Sequence, residues 1–366
     1  MIKNNPVAAN WLEINLAAIH HNINQVKNIV QAPIMAVLKA DAYGLGIERI
    51  SKEIYDAGVE WFAVARLSEA IKLQYLPNAK ILILGPLTDD ELEKSVNLGF
   101  RITVYSVNCC KRLIQIPFKK SANVHLKVET GFGRYGLMLD EILTVAQELI
   151  KHGVNIEGLY SHFAMVDDIP NHALTKKQQD VFKQIISLLA ENFIFPTAVH
   201  FSNSAVAYGL PEAHYTMVRM GSAILGIKPF YFSPLPEGLI RCVHWKSYLA
   251  SCKQFVAGTS IGYGAAYKTN ETEWIGVVPV GYADGYRRSP ENVVLIDGQR
   301  MPVVGRICCD AFMVKLPREY SQGEEVVMIG DMGAEHIWVD ELAKIWGTSQ
   351  AEAISTITAR VPRLYI

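Results

Sequence analysis

The chain has 366 residues, half of them hydrophobic, and a formal net charge of −1 at pH 7. This length allows one large domain and a smaller one, and the near-neutral charge argues against a nucleic-acid partner. No apolar run is long enough to span a bilayer, and residues 1–10 lack the apolar core of a signal peptide. Six cysteines without a C-x-x-C pair indicate reduced thiols. We therefore expect a cytoplasmic protein with no membrane partner and no metal site.

Short β-like runs alternate with amphipathic helical stretches, such as 141–152 and 176–192, through the first two-thirds of the chain. Eight such units predict an α/β fold, a (β/α)8 TIM-type barrel. An open doubly wound sheet is the alternative, but it needs a G-x-G-x-x-G turn after the first strand, and none is present. The predicted barrel strands are 34–39, 61–65, 80–84, 101–105, 124–129, 156–162, 197–201 and 217–221.

The composition changes after about residue 236. Short alternating runs separated by glycine turns predict a mainly-β domain there. These runs are 243–252, 274–280, 293–296, 300–304 and 325–329. We therefore divide the chain into a barrel domain, residues 1–236, and a C-terminal mainly-β domain, residues 237–366, with a linker over 229–236.

The segment 34–46, IMAVLKADAYGLG, carries the strongest chemical signal. A buried apolar strand ends in Lys39, where desolvation can lower the pKa of the amine and free it to form a Schiff base with a carbonyl. Tyr43 follows, with Gly44 and Gly46 to let the backbone turn. The structural alternative is a strand-end lysine that extends its charge into solvent.

Barrel enzymes place their catalytic groups at the carboxyl ends of the strands, and unusual residues collect at those positions. They are Lys39, Lys127, Arg134, His162, Asn203, Ser204, Arg219 and Gly221. Taken singly, His162 fits a core histidine and Ser204 fits a helix cap. Their shared position on one face of the barrel groups them as a candidate site.

A phosphate group would suit one part of this face. The hydroxyls of Tyr43 and Ser204 and the backbone N–H groups of Gly221 and Ser222 make an anion site. Arg219 suits a ring nitrogen, because a guanidinium can only donate a hydrogen bond and would leave that nitrogen unprotonated.

These residues lie in blocks that resemble the alanine racemase family along nearly the whole chain. Segment 34–46 resembles the pyridoxal phosphate (PLP) lysine motif of that family, A-V-x-K-A-[DN]-A-Y-G-x-G. Further matching blocks are WLEIN (11–15), TGFGR (130–134), SHFA (161–164), NSA (203–205), RMG (219–221), YGAAY (263–267), GYADGY (281–286), VGR (304–306) and RVPRLY (360–365). The resemblance implies a PLP-dependent homodimer that racemises a small amino acid, alanine, in active sites shared between the subunits.

The resemblance also implies catalytic roles. Racemisation removes a proton from one face of the substrate and returns one to the other, so two opposed bases are needed. Lys39 would be the Schiff-base lysine and one base, and Tyr263 of the partner subunit's β domain would be the other. A free tyrosine titrates at about 10, so a base of this type needs a nearby cation. Arg134 would supply that charge and orient Tyr263.

The remaining roles concern cofactor and substrate. Arg219 would face the PLP ring nitrogen with His162 beside it, which should disfavour side reactions such as transamination. The other cofactor-binding residues would be Tyr43, Asn203, Ser204, Gly221 and Ser222. Lys127 matches a position that is carbamylated in some family members. The substrate would meet Arg134, Cys309 and Asp310.

Three positions depart from the family pattern. Ala351 replaces a tyrosine that narrows the substrate pocket, the segment 309–311 is Cys-Asp-Ala where the family has M-D-Q, and residues 223–226 lack a hydroxyl. The first two changes predict a wider pocket that accepts larger side chains, serine first. Compensated drift with alanine still preferred is the alternative.

Two other functions are consistent with a PLP barrel. An amino acid decarboxylase with the same domains would not need Tyr263, and a non-catalytic PLP-binding protein would not need the β domain. The expected biological use is supply of D-alanine for bacterial peptidoglycan, and a specialised pathway that needs another D-amino acid is the variant.

Overall fold

The computed structural model describes residues 8–117, 121–167, 172–231 and 233–366. Residues 1–7, part of the segment examined for a signal peptide, and position 232 of the predicted linker lie outside the described residues. The chain divides into two compact units. The barrel unit comprises Ile19–Ala42 and Ile47–Ile240. The β unit comprises the N-terminal segment through Ala18, Tyr43–Gly46 and Arg241–Ile366.

The barrel unit is built on an eight-stranded parallel sheet. Successive strands are neighbours, and Val218–Met220 returns to pair with Ile34–Val37. The remaining gap is bridged where the Thr216 N–H donates to the Val199 carbonyl at 3.1 Å. The predicted (β/α)8 architecture is confirmed. The strands are Ile34–Val37, Trp61–Val64, Lys80–Ile83, Arg101–Val104, Asn123–Lys127, Asn155–Tyr160, Ala198–His200 and Val218–Met220.

Helices separate these strands and bury one face. Ile47–Asp56 shows why, since its buried Ile47, Ile50 and Ile54 recur every three or four residues along one stripe. No helix in the described residues is long and apolar enough to cross a membrane. The helices from the first strand of the barrel onward are Ile47–Asp56, Leu67–Lys72, Asp89–Asn97, Val107–Ile114, Leu139–Lys151, Ala173–Glu191 and Ser204–Gly209, and Leu16–Ile29 precedes them.

The β unit is mainly β, as predicted. Its large sheet is antiparallel except at one end, where Asn10–Ile14 runs parallel to Arg363–Tyr365. Across the sheet the order is Ser251–Phe255, Glu273–Val278, Phe312–Leu316, Gln299–Val304, Val293–Ile296, Glu325–Met332, Val243–Tyr248, Asn10–Ile14 and Arg363–Tyr365, with Glu335–Ile337 beside Glu325–Met332.

Several elements of the β unit differ from the sequence expectation. The run 243–252 forms two strands rather than one, because the chain changes partner between them. The first strand of the sheet, Asn10–Ile14, was not predicted, since its partners lie far along the chain. Two short helices, Val339–Ile345 and Gln350–Ser355, also follow the strands.

A left-handed turn follows the strand Ile34–Val37. Ala40, Asp41, Ala42 and Tyr43 all have φ between 54° and 57°. The Ala42 N–H donates to the Leu38 carbonyl at 3.0 Å. Such residues cost roughly 1–2 kcal/mol each in this region. The turn therefore holds strain immediately after Lys39, and surrounding contacts must stabilise it.

Three contacts of Asp41 stabilise this turn within the barrel unit. The Asp41 carboxylate accepts the Ile47 N–H at 3.2 Å, and Lys72 lies 3.3 Å from the same oxygen. The Asp41 N–H in turn donates to Glu69 at 3.3 Å. One aspartate thus ties the turn to the helices on both sides of the second strand.

We predict that Ala40→Gly stabilises the protein. Ala40 is exposed and left-handed, so glycine relieves backbone strain without loss of packing. The free energy of unfolding should rise by about 1 kcal/mol. The measurement is urea unfolding at saturating PLP. The control is Ser187→Gly, exposed in the right-handed helix Ala173–Glu191, which should lose about 0.5 kcal/mol. Equal destabilisation of both variants would contradict the prediction.

Candidate active site

Five of the selected side chains lie close together at the carboxyl ends of the barrel strands. The positive charges of Arg134 and Arg219 act on Lys39 and Lys127. The same two charges act on His162. Lys127 ends one strand, Arg219 lies in another, and the other three follow strands. The barrel therefore gathers four cationic or potentially cationic groups and a histidine at one mouth.

Arg219 is held rigidly within this group, with only 5% of its surface exposed. Its Nη1 donates to the Nδ1 and the carbonyl of His200, at 2.9 and 2.8 Å. Its Nη2 donates to the Ser161 carbonyl at 2.8 Å and to His162 Nδ1 at 3.1 Å. Both Nη atoms are thus engaged by the protein. The Nε–H has no acceptor in the described part of the chain, so it is free to meet a ligand.

The two histidines beside Arg219 are neutral. A guanidinium has no acceptor atom, so the Nδ1 atoms of His162 and His200 must accept and their protons lie on Nε2. Burial, followed by the charge of Arg219, holds the pKa of both imidazoles well below the usual range. Burial also lowers the pKa of Arg219 to about 10, which leaves it cationic at neutral pH.

Lys127 is nearly fully buried, with 2% exposed. Its Nζ donates to the Val128 carbonyl at 3.0 Å and to Ser161 Oγ at 3.4 Å. Burial first, and then the charge of Arg219, lower the pKa of this amine to about 7. A substantial share of Lys127 is therefore uncharged at neutral pH and has a lone pair available for a small electrophile.

Lys39 begins the left-handed turn at the mouth of the barrel. Its surface remains exposed to solvent, yet many protein atoms surround it. Desolvation by those atoms, followed by the charges of Arg134 and Arg219, lowers the pKa of its amine. Desolvation and these two cations together favour a free amine that can attack a carbonyl.

The predicted anion site lies after the last two barrel strands. Ser204 Oγ accepts the N–H groups of Gly221 and Ala223, at 3.2 and 3.4 Å. Its own hydroxyl hydrogen donates to no acceptor within the described residues. Asn203 accepts the Val206 N–H at 2.9 Å, so it caps the following helix. Ser222 lies between Gly221 and Ala223.

The barrel residues fit PLP on chemical grounds. The Lys39 amine is available for the carbonyl, the Arg219 Nε–H is available for the ring nitrogen, and the Ser204 hydroxyl hydrogen is available for the phosphate. Tyr43, assigned to the same phosphate, ends the left-handed turn and belongs to the Tyr43–Gly46 segment of the β unit.

Tyr263 belongs to the β unit. It lies in the turn between the paired strands Ser260–Ile261 and Tyr267–Lys268. Glycines with positive φ flank it, Gly262 at 71° and Gly264 at 65°, which lets the chain make this tight turn. The side chain is 67% exposed, so the hydroxyl is presented to the surroundings rather than packed.

The predicted substrate residues Cys309 and Asp310 also lie in the β unit. Arg360 Nη1 donates to Asp310 at 2.8 Å, and Arg360 Nε lies 3.3 Å from Asp284. The exposed Cys309 thiol interacts with the Tyr282 hydroxyl, which raises the pKa of that tyrosine. Arg360 therefore fixes the loop that carries Asp310, a role that the sequence analysis did not assign.

The sequence analysis also missed His200, the residue that holds Arg219 Nη1, and His125, which lies 2.8 Å from His200. Both are buried. Each interrupts an apolar strand, as VHLK and AVHF, and this interruption was the available signal. A histidine in such a strand most often forms hydrogen bonds to nearby core groups without a functional role. Only the three-dimensional contacts therefore reveal that His200 holds Arg219.

Comparison with known proteins places these features in a family. The model of the alanine racemase N-terminal domain matches residues 14–229, and that of the C-terminal domain matches residues 242–365. An alanine racemase of Symbiobacterium thermophilum is 37% identical over 364 residues, 97% of this chain and 96% of that protein. One of Latilactobacillus sakei is 36% identical over 362 residues, 95% and 94% of the two chains.

Solved structures agree. The alanine racemase of Bacillus anthracis with bound L-Ala-P has a TM-score of 0.92 at 32% identity, and covers 99% of this chain and 96% of that one. The enzyme of E. faecalis has a TM-score of 0.92 at 32% identity, with 98% of each chain covered. Because these relatives and solved structures are all alanine racemases, they favour the racemase over the decarboxylase and the non-catalytic PLP-binding protein. The chain therefore belongs to the alanine racemase family, the isomerases that interconvert L- and D-alanine with bound PLP.

Proposed function

We propose that this racemase moves the α-proton of alanine between two groups on opposite faces of the substrate, Lys39 Nζ and Tyr263 Oη of the partner subunit. The lowered pKa of Lys39, caused by desolvation and by two neighbouring guanidinium groups, is the observation that carries this proposal. A lysine at its ordinary pKa would be almost fully protonated at neutral pH. Here the amine can accept a proton and return it.

Bound PLP supplies an electron sink for the pair of electrons that the departing proton leaves behind. Arg219 would hold the ring nitrogen through its Nε–H. Because a guanidinium does not give up its proton at neutral pH, the ring nitrogen would stay unprotonated. An unprotonated ring would accept less of the negative charge from the α-carbon. This restraint favours return of the proton to the α-carbon over transamination.

Tyr263 requires a second copy of the chain in this proposal. Its side chain is largely exposed on its own subunit, and entry into a partner's site would bury it. Arg134, exposed after the strand Asn123–Lys127 and stacked 4.4 Å from the Phe132 ring, would orient the incoming hydroxyl. A homodimer with shared active sites follows.

We predict that Tyr263→Phe lowers racemisation by roughly 10²–10⁴-fold, the scale of a lost general base. Proton exchange in heavy water, followed by NMR for each alanine enantiomer, measures it. Lys39 serves only one face of the substrate, so the variant should still exchange the α-proton of one alanine enantiomer but not of the other. Tyr55→Phe, which removes a hydroxyl bonded to the Pro77 carbonyl, is the control and should stay fully active. Equal residual exchange from both enantiomers would rule out the two-base assignment.

Lys127 is proposed to carry a carbamate. Its uncharged amine can add to carbon dioxide, forming an N–C bond and releasing one proton. The resulting carboxylate would face Arg134 and Arg219, the two charges that depress the pKa of the amine. Modification would place an anion in a site crowded with cations and so stabilise the group.

We predict that carbamylation rises as the pH increases through about 7. The pKa of Lys127 is lowered from that of a free lysine to about 7, so the reactive neutral amine predominates above that pH and is lost below it. Carbon-13 NMR with labelled bicarbonate should show a carbamate signal in the wild type. The signal should be missing in Lys127→Arg. A signal that does not change from pH 6 to pH 8 would contradict the proposed titration.

The substrate pocket is proposed to admit side chains larger than alanine, with serine first. Ala351 is half-buried in the helix Gln350–Ser355, where the family usually has a tyrosine. Cys309 is shorter than the usual methionine, and Ala311 lacks the usual amide. By the family resemblance, each change would remove volume or a polar group from the substrate pocket. A hydrophobic pocket discriminates between side chains that differ by one methylene by only about 1–3 kcal/mol. A wider pocket should therefore no longer exclude side chains larger than that of alanine.

We predict that Ala351→Tyr lowers the serine-to-alanine ratio of kcat/KM by roughly tenfold or more. The measurement is chiral analysis of both products under steady-state conditions. Ala351→Phe restores the volume of the ring without the hydroxyl. It should reproduce most of the decrease in the serine-to-alanine ratio if pocket volume sets that ratio. An unchanged ratio in both variants would show that residue 351 does not limit substrate size.

The product defines the proposed biological use. D-Alanine is a precursor of bacterial peptidoglycan, and the relatives named above are bacterial alanine racemases. All six cysteines are free thiols, which suits the reducing cytoplasm. We therefore place this homodimer in the cytoplasm, as a supplier of D-alanine or, if serine is its substrate, of D-serine.

A further inference from the structure

A row of four polar side chains runs through the barrel unit. Arg219 Nη1 donates to His200 Nδ1 at 2.9 Å, and His200 Nε2 lies 2.8 Å from His125 Nδ1. His125 Nε2 lies 3.7 Å from Glu157 Oε2 and has no hydrogen-bond partner within the described residues. Both histidines are fully buried. Arg219 is thus linked to a carboxylate that it does not touch.

The chemistry of the row fixes every proton in it. Arg219 can only donate, so His200 must accept at Nδ1 and carry its proton on Nε2. That Nε2–H can only donate to His125 Nδ1, so His125 carries its proton on Nε2 as well. The His125 Nε2–H then faces Glu157. If either imidazole were doubly protonated, two N–H groups would face each other, so both are neutral.

Glu157 is an ionised carboxylate at the end of this row. Arg101 donates to its two oxygens, at 2.9 and 3.3 Å. Burial by itself would raise the pKa of the carboxyl, but interactions with His125 and Arg101 lower it to about 2. The side chain is 14% exposed. The negative charge is therefore present at neutral pH, and the His125 Nε2–H faces it at 3.7 Å.

We propose that Glu157 is a positioning residue of this racemase, whose carboxylate holds Arg219 in place through the neutral Nε2–H forms of His125 and His200. Without it, the His125 proton is free to move to Nδ1, where it opposes the His200 Nε2–H. His200 then shifts its proton to Nδ1, which opposes the Arg219 donor. The inference rests on the proposed assignment of Arg219 Nε–H to the PLP ring nitrogen.

The first test reads the histidine protons directly. Nitrogen-15 NMR of the histidine-labelled holoenzyme distinguishes the two neutral tautomers and the cation, with His125→Phe and His200→Phe used for assignment. The wild type should show both histidines neutral with the proton on Nε2. Glu157→Leu should add the Nδ1–H form. A cationic or Nδ1–H form of His125 or His200 in the wild type, or unaltered tautomers of both in Glu157→Leu, would overturn the proposal.

The second test reads the effect on the reaction. Glu157→Leu should lower kcat by roughly tenfold or more, because the row of side chains that positions Arg219 loses the anion at its end. The KM for alanine should stay within about twofold, because Glu157 does not contact substrate. Glu157→Gln, which keeps an acceptor oxygen, should lose less. Asp89→Asn, which breaks the separate ion pair with Arg112, should lose nothing.

The two tests separate the proposals. Wild-type kcat in Glu157→Leu would overturn the positioning role. Absence of racemisation by the wild type would instead overturn the proposed function, and the tautomer measurement would still decide the proton order. If Glu157→Leu does not fold, two measurements remain. The wild-type tautomers of His125 and His200 test the proton order, and a kcat of Glu157→Gln equal to that of the wild type would overturn the positioning role.

Discussion

A buried guanidinium that can only donate hydrogen bonds governs the chemistry of the barrel mouth. Arg219 has no carboxylate within ion-pair distance in the described part of the chain, so carbonyl groups and neutral imidazoles stabilise its charge. Burial first, and then that charge, keep His162 and His200 neutral. Burial, Arg219 and Arg134 together lower the pKa values of Lys39 and Lys127. Four neighbours are thus held in their less charged forms, and an anionic cofactor suits the result.

In the proposed mechanism the β unit would contribute to the chemistry by a different principle. Its selected side chains are exposed, and they are oriented by backbone geometry and by one shared arginine rather than by burial. Tyr263 lies in a glycine-flanked turn, and Arg360 ties Asp310 to the buried Asp284. Tight turns can present exposed side chains to a second molecule, as the proposed homodimer requires, whereas the barrel mouth provides the electrostatic environment. In the proposed mechanism the β unit would present the second base, and the barrel unit would lower the pKa of Lys39.

Much of the barrel could be predicted from sequence because buried parallel strands form continuous apolar runs, and most predicted bounds agree with the structure to within two residues. The left-handed turn could not, since Ala40 to Tyr43 are residues that prefer right-handed conformations, and only packing overrides that preference. The barrel site residues were selected from their positions at strand ends, and Tyr263, Cys309 and Asp310 from motif resemblance. His125 and Glu157 matched no motif, and their connection to Arg219 depends on distances that one-dimensional patterns do not contain.

The N-terminal strand has a consequence for how the protein is made. Asn10–Ile14 is a central strand, paired on one side with Val243–Tyr248 and on the other with Arg363–Tyr365. During synthesis it is made well before either partner, because the barrel is translated between them. A ribosome stalled before residue 363 therefore holds an apolar strand with one unpaired edge.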